Sequence, residues 1–297
     1  MADSSPASIQ DLVAQVSQVN SLMPISDQEF DRMRSLIYSK FGINLSLEKR
    51  SLLVGRLQKI LRAEGFSSFN DYYDHLLSEK SGRGLSKLVD HVSTNHTYFY
   101  RESAHFEYFR QHALPEIIDR LKKAGSRDLR IWCAGCSSGE EAYTLLMLMQ
   151  EVLGSEYGNF DAGLLATDIS DRILATARTG IYPGERIEPL PDPLKRKYFT
   201  RHDRDRVQVV EGIRREAVFR RFNLMNAQFP FRKPFHIIFC RNVMIYFDRQ
   251  TRDALVRRFH AATEPGGYLF IGHSETLGRD QPLYDYLIPA AYRKKRP

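Results

Sequence analysis

The stretch from Leu129 to Leu153 constrains the fold of this chain more than any other. Leu129-Arg130-Ile131-Trp132-Cys133 reads as a short buried strand. Ala134-Gly135-Cys136-Ser137-Ser138-Gly139 is a turn of small residues, and Glu140 to Leu153 continues as a helix. A strand handed to a helix through small residues is the repeating unit of a parallel α/β sheet. The unit recurs: a strand around Gly163–Thr167 ends at Asp168, and a helix follows near Ser170–Arg178. His236-Ile237-Ile238-Phe239-Cys240 is another buried strand, with a helix from Arg249 to Ala262 behind it. Pro265-Gly266-Gly267 then turns into Tyr268-Leu269-Phe270-Ile271. The alternation predicts an α/β fold with a doubly wound parallel sheet. Residues 182–221 interrupt it, being Pro-rich and then Arg-rich. Val207–Val210 and Ala217–Phe219 look like short strands there, which predicts an insertion with its own small sheet.

The first 95 residues follow another rule. Residues 1–25 lack strong periodicity and are expected to be loosely ordered, though Leu12, Val13 and Val16 are spaced for a short helix. Ser26-Asp27-Gln28-Glu29 is a capping box, and Phe30, Met33, Ile37 and Phe41 follow at helical spacing before Gly42. A second helix is expected over Ser46–Ala63, a third after the Ser68 and Asp71 cap, and a fourth over Leu85–Val92. Four short helices without a strand signal predict an all-α unit over 26–95, ahead of an α/β domain over 96–297.

The small turn lets a ligand approach the backbone at the start of a helix. Glu140 and Glu141 follow at once, and two carboxylates there repel a pyrophosphate, so a dinucleotide is disfavoured. A ligand with an amino group, a ribose and no phosphate suits the acids better; S-adenosylmethionine (SAM) is such a ligand, with Asp168 placed for the ribose. The competing reading is that the small residues serve only strand–helix packing. Cys133 and Cys136 form a Cys-x-x-Cys, which suggests a redox pair or half of a zinc site. With Cys240 the only other thiol, and His91, His96, His105 and His112 at no familiar ligand spacing, buried packing is the better reading and no metal is expected. Leu88–Glu102 is dense in polar and aromatic residues at the expected domain junction. Cys240–Phe247 places Arg241, Asn242 and Tyr246 in an otherwise apolar segment at a strand's carboxyl end.

Charge narrows the partners. The net charge is +7 and the sequence pI about 9.2, which by itself invites an anionic partner. Residues 1–95 are neutral, with 11 basic and 11 acidic side chains; 195–221 carry +6, the last seven residues +4, and the remainder −3. The basic character is therefore local. No run reaches the roughly 18 apolar residues of a membrane span. The polar start MADSSPASIQ and three cysteines predict a chain without a secretory signal, in a reducing cytoplasm.

Thr94–Glu102, Gly135–Glu141, Ala166-Thr167-Asp168-Ile169, Asn223-Leu224, Cys240-Arg241-Asn242-Val243-Met244-Ile245-Tyr246-Phe247 and Gly272-His273-Ser274-Glu275 occur in an order that resembles CheR, the SAM-dependent methyltransferase family of bacterial chemotaxis receptors. The resemblance spans about 26–292, and the Cys-Arg-Asn-Val-Met-Ile-Tyr-Phe block is its most specific part. It implies an all-α N-terminal domain, a SAM-dependent methyltransferase sheet and an inserted antiparallel β-subdomain over about 185–222. It implies methylation of receptor glutamates, with S-adenosylhomocysteine as product and sensory adaptation as the role. By the same resemblance Asn95, Thr97, Arg101, Glu141, Asp168, Asn223, Leu224, Arg241 and Asn242 bind the cofactor, Glu141 taking its amino group and Asp168 the ribose. Arg101 and Tyr246 flank the transfer centre. The departure is His96-Thr97-Tyr98, where the family pattern is smaller or more apolar.

The acceptor carboxylate is ionised at neutral pH, with a reference pKa of about 4.3, and needs no general base. What the site must supply is alignment and exclusion of water. Arg50, Arg56, Lys59 and Arg62 lie on the second helix, in a stretch from Lys49 to Arg62 without an acid. Given the resemblance, this basic surface is expected to bind the acidic receptor helices. The family's β-subdomain can bind a receptor's C-terminal pentapeptide by strand addition. Here Arg201–Arg206 is short and has no Gly until Gly212, which favours a member independent of that tether. The expected protein is a cytoplasmic monomer that binds no nucleic acid and does not insert into the membrane. An RNA methyltransferase and a non-catalytic SAM-binding adaptor are the alternatives, with an NAD-dependent enzyme third.

Overall fold

The computed structural model describes residues 23–279 and 281–296. The expected loose N-terminus, with the Leu12, Val13 and Val16 spacing, lies almost wholly outside the described residues. The chain divides into two compact units, one holding Leu45–Val92 and the chain up to Leu36, the other Ile37–Asn44 and Ser93 onward.

The first unit is helical, and its first helix runs on from Ile37 into residues of the second unit. Helix α1 (Asp27–Phe41) begins at the predicted capping box: Ser26 N–H donates to Glu29 Oε2 at 2.8 Å, and Glu29 N–H donates to Ser26 Oγ at 3.2 Å. A single 3₁₀ turn (Leu47–Lys49) leads into α2 (Arg50–Glu64), which buries Leu53, Val54, Leu57, Ile60 and Leu61 along one side. Ser68 accepts the Asp71 N–H to start α3 (Phe69–Ser78), and α4 (Arg83–Val92) buries Leu88, Val89 and Val92.

The second unit opens with α5 (Ser103–Tyr108), a π-helical turn over Phe109–Ala113, and α6 (Leu114–Lys123). The sequence reading assigns no element to this segment. Strand β1 (Ile131–Ala134), α7 (Glu140–Leu153), β2 (Leu164–Asp168) and α8 (Asp171–Thr179) follow as the periodicity predicts. Next come β3 (Ile181–Pro183), α9 (Asp192–Tyr198), β4 (Phe199–Arg201), β5 (Arg206–Val209), α10 (Glu211–Glu216) and β6 (Ala217–Arg221). The chain ends through β7 (Phe235–Cys240), α11 (Arg249–Ala262), β8 (Thr263–Ile271), β9 (Tyr284–Ile288) and β10 (Ala291–Lys294).

The main sheet has the order β6-β2-β1-β7-β8-β10-β9. Its first five strands are parallel, β10 runs antiparallel to β8, and β9 antiparallel to β10. Every residue of β1 and β7 is buried, so these strands read as unbroken apolar runs rather than alternating ones. Trp132 on β1 packs among Phe222, Phe229, Phe231, Phe235 and Phe259, its indole N–H donating to Thr167 Oγ1 at 2.9 Å. The strand order reverses between β1 and β7, a switch point that places a crevice at the carboxyl ends of β1, β2 and β7.

One expectation is corrected. The small antiparallel sheet is β3-β5-β4, spanning 181–209. Ala217–Phe219, read as a strand of the insertion, belongs instead to β6, which pairs parallel with β2 from Leu164↔Ala217 to Asp168↔Arg221. Burial of Phe219 in the main core beside Tyr143 accounts for the choice of sheet. Among the described residues no helix is long and apolar enough to cross a membrane.

Candidate active site

The small turn forms because its backbone needs glycine. Gly135 has φ +79°, and a Cβ there would lie 2.4 Å from Val243 Cγ2. The Gly135 and Cys136 N–H groups donate to Thr167 O at 2.7 and 2.9 Å, fixing the turn to the end of β2. Asp168 then accepts two backbone N–H bonds, from Ser137 to Oδ2 at 2.9 Å and from Ser170 to Oδ1 at 3.0 Å. Tyr182 O–H, from the small sheet, donates to Ser138 O at 2.6 Å.

A charged network crosses from β7 to the start of α7. Arg241, just past β7, has 1% of its side chain exposed; its Nη1 donates to Glu141 Oε2 at 2.8 Å and its Nη2 to Glu102 Oε2 at 2.9 Å. The same Nη2 donates to Arg101 O. Asn242 Nδ2 donates to Glu102 Oε1 at 3.2 Å and His273 N–H to Glu102 Oε2 at 3.1 Å. Burial pushes the Glu102 carboxyl up, but the Arg241 guanidinium and these hydrogen bonds prevail and hold it at about 2. Burial and the Arg241 charge push the neighbouring His105 imidazole down to about 4.

Glu140 is 1% exposed, and burial raises its pKa despite bonds that favour the anion. It receives Ser138 O–H at 2.6 Å and faces Arg186 at 3.4 Å. Arg186 also donates to Thr97 O, and Ser137 O–H donates to Asn95 O at 3.3 Å. Segment 95–102 is thus held at Asn95 by Ser137 and at Arg101 and Glu102 by Arg241, both at the sheet's carboxyl edge, and at Thr97 by Arg186 of the insertion. The Arg101 side chain donates to His96 O at 2.8 Å and lies 6.0 Å from the Tyr98 ring.

Glu275 shapes the segment after β7. Its carboxylate accepts N–H groups from Asn242 (3.2 Å), Ile245 (3.1 Å) and Gly272 (2.6 Å), supporting Asn242 at φ +58° and the turn Met244–Tyr246 that presents Tyr246. Asn223 and Leu224 follow β6, where Phe222 N–H donates to Asp168 O at 2.9 Å. The Asn223 amide donates to Lys40 O at 2.8 Å and accepts Met225 N–H at 2.9 Å, while Leu224 is buried in the Trp132 cluster. Hydrogen bonds therefore join Asn95, Thr97, Arg101, Glu141, Asp168, Arg241 and Asn242 at one edge of the sheet. Asn223 and Leu224 attach through the end of β2.

Glu102, Glu140, Arg186 and Glu275 carry much of this geometry and were not among the predicted site residues. Glu102 pairs with Arg241, while Glu275 holds backbone N–H groups; both stand in the quoted motifs, which is the signal for them. Arg186 had none, because its role depends on how the insertion folds back. Cys133 and Cys136 are free buried thiols, Cys133 donating to Glu141 Oε1 at 3.2 Å, and burial pushes both thiols up. A thiol acting as a donor in such a place suits packing, not nucleophilic or redox use. On α2, Arg50 pairs with Asp27 and donates to Ile25 O, and Arg56 donates to Val92 O; Lys59 and Arg62 are exposed.

The donor set fits SAM. Glu141 and Asp168 are acceptors, suited to an ammonium and to ribose hydroxyls, and Glu140 beside them opposes phosphate. A carboxylate oxygen holding one hydrogen bond retains a second lone pair for a ligand.

Comparison with known proteins agrees. A family model described as CheR methyltransferase, SAM binding domain, matches residues 95–290, and one described as CheR methyltransferase, all-alpha domain, matches 28–93. The chain is 42% identical over 278 residues to a chemotaxis protein methyltransferase of Borreliella burgdorferi, covering 94% of this chain and 98% of the relative. It is 38% identical to chemotaxis protein methyltransferase 2 of Pseudomonas aeruginosa, over 84% of this chain and 87% of that protein. To the chemotaxis protein methyltransferase of Escherichia coli it is 34% identical, over 88% of each chain.

Proposed function

We propose, from the premise that this chain belongs to the CheR methyltransferase family, that it methylates glutamate side chains of chemotaxis receptors, giving glutamate methyl ester and S-adenosylhomocysteine. It is a SAM-dependent methyltransferase of chemotaxis. The observation that carries the reading is the acceptor pair Glu141, at the start of α7, and Asp168, at the end of β2, with buried Arg241 as the counter-charge of Glu141.

When bound, SAM would supply a methyl group on a cationic sulfonium for transfer to the acceptor carboxylate, the electron pair of the broken sulfur–methyl bond staying on S-adenosylhomocysteine. The residues of this chain bind, align and keep water out. Glu141 takes the amino group and Asp168 the ribose, each oriented beforehand by the protein's own donors. Asn95, Thr97, Asn223, Leu224, Arg241 and Asn242 line the same cofactor site. Arg101 holds the acceptor carboxylate by charge-assisted hydrogen bonds, and Tyr246 orients it or the methionine part. No proton is removed, since the acceptor is already an anion.

Receptor helices dock through the basic α2, where Lys59 and Arg62 are the side chains exposed to meet glutamates. The short 202–205 connection between β4 and β5 favours activity without a pentapeptide tether. The protein acts as a monomer in the cytoplasm and neither inserts into the membrane nor binds nucleic acid. Incubation with methyl-labelled SAM and receptor cytoplasmic domains tests the function: base-labile label on receptor glutamate supports it, and label confined to added RNA overturns it. Calorimetry with a receptor C-terminal pentapeptide tests the tether, micromolar binding being the adverse result.

A further inference from the structure

At the amino ends of the central strands, away from the site above, lies a second cavity of about 420 Å³. Arg120, Ser126, Arg130, His236, Glu264 and Arg296 supply its polar wall. Most of these groups are donors. Arg130 Nη2 binds Glu264 Oε1 at 2.8 Å, so the one carboxylate of the wall is already matched. Among the described residues no carboxylate forms an ion pair with Arg120, whose Nη1 donates only to Pro265 O at 3.0 Å. Arg296 reaches Glu116 Oε1 at 3.9 Å, and that carboxylate is already held by Arg293 and by Tyr268 O–H at 2.6 Å.

The two underused guanidinium groups face one small space. At Gly266, with φ +70°, a Cβ would lie 2.8 Å from Arg296 Nε and 3.0 Å from Arg120 Nη1, so both guanidinium groups lie against this glycine. Two like charges brought together around a glycine repel; the Glu264 carboxylate offsets part of this at Arg120, and a further anion between the two guanidinium groups is favoured. His236 adds a neutral donor: Arg130 N–H donates to its Nδ1 at 3.0 Å, so the uncharged ring carries its proton on Nε2. Ser126 Oγ accepts Asp128 N–H at 3.3 Å, which leaves its O–H to donate.

We propose that this cavity binds a phosphate group, carried by a small phosphate monoester or free as inorganic phosphate. Two guanidinium groups with an imidazole N–H and a hydroxyl offer more donors than the two oxygens of a carboxylate can use. They match the three terminal oxygens of a phosphate monoester. A cavity of this size also has room for a group beyond the phosphate. The site lies at the opposite end of the strands from Asp168 and Glu141, so its ligand and the cofactor bind together rather than in competition.

The test is calorimetry on the full chain, with the cofactor site filled by saturating S-adenosylhomocysteine. Inorganic phosphate and ribose 5-phosphate are titrated at constant ionic strength, with chloride as control. Binding of phosphate at millimolar or tighter dissociation constant, weakened at least tenfold in Arg120→Ala and in Arg296→Ala, is the expected result. Tighter binding of ribose 5-phosphate than of phosphate identifies a monoester as the ligand; equal binding identifies free phosphate. Arg296 is exposed near the end of the described chain, so its variant keeps the test open if Arg120→Ala fails to fold. Backbone amide shifts at Ser126 and His236 on adding phosphate give a second readout. No heat with either compound, unchanged affinity in Arg296→Ala, or amide shifts confined to residues 135–141 overturns the proposal.

Discussion

Arg241 Nη1 donates to Glu141 Oε2 at 2.8 Å from a guanidinium with 1% of its side chain exposed, while its Nη2 holds Glu102 at 2.9 Å. One buried cation thus answers two carboxylates that come from separate segments, the start of α7 and the turn before α5. Removing it leaves both acids partly buried and unpaired, and breaking a buried pair in this way costs about 3–5 kcal/mol. Arg241→Ala is expected to lower the urea midpoint strongly and to abolish S-adenosylhomocysteine binding in calorimetry. A variant with wild-type stability would mean that Glu102 and Glu141 find other partners.

Gly135 and Val243 make a second close relationship. A side chain at position 135 meets Val243 Cγ2 at 2.4 Å and must also adopt φ +79°. Backbone strain of this kind and overpacking each cost about 1–3 kcal/mol. Gly135→Ala is expected to lower thermal stability and weaken cofactor binding together, and Gly135→Ala with Val243→Ala to recover part of both. Thermal unfolding with and without S-adenosylhomocysteine reads the two effects.

Much of this site was legible in the sequence because its chemistry sits at strand ends that hydrophobic patterning locates well. The turn 134–139, Asp168 and Arg241 each follow a short apolar run, and β1, β2 and β7 place them together. The insertion was harder to read. Ala217–Phe219 has strand character but no local signal for which sheet it joins, and only tertiary burial of Phe219 decides. Helices α5 and α6 escaped because an apolar face spread over Phe106, Phe109, Leu114, Ile117 and Leu121 passes through a π-helical turn, which breaks the 3.6-residue spacing. Arg186 was illegible for a related reason: its partner Glu140 lies 46 residues away in the chain.

Two buried histidines set the acid limb of stability. Burial, with the charge of Arg241, holds His105 at about 4; burial, with Arg130, holds His236 at about 4. Both values lie below the 6.5 of an exposed imidazole. A depressed folded pKa gives stability that is complete above pH 6.5 and is lost as pH falls toward 4, because only the unfolded chain takes up the protons. Stability is therefore expected to decline between pH 6.5 and 4, before Glu102 titrates near 2. Urea denaturation across this range measures the slope, and imidazole NMR signals for both residues are expected to stay in the neutral form at pH 5.

Arg101 and Tyr246 separate binding from transfer. Arg101→Ala is expected to lower kcat at least about a hundredfold with a smaller change in S-adenosylhomocysteine affinity, the pattern of a contact made mainly in the transition state. Tyr246→Phe is expected to lower kcat about tenfold without moving the pH profile, since an orienting hydroxyl transfers no proton. The wild-type rate should be flat with pH above the acceptor's pKa of about 4.3 until the protein itself is perturbed. A basic limb near neutrality that disappears in Tyr246→Phe would instead assign Tyr246 a proton-transfer role.

The basic helix α2 divides into structural and exposed cations, and this sharpens its prediction. Arg50 is tied to Asp27 and Ile25 O, and Arg56 to Val92 O, so alanine at either position is expected to reduce stability as well as any docking. Lys59 is exposed on the same helix, and its substitution should leave the unfolding midpoint unchanged. If α2 meets glutamate-bearing receptor helices, Lys59→Ala with Arg62→Ala raises the receptor KM about three- to tenfold at low salt with kcat preserved. The difference from wild type then shrinks as salt screens the charges over about 8 Å at physiological ionic strength. Steady-state methylation at two salt concentrations decides it: equal KM values at low salt would remove α2 from the docking surface.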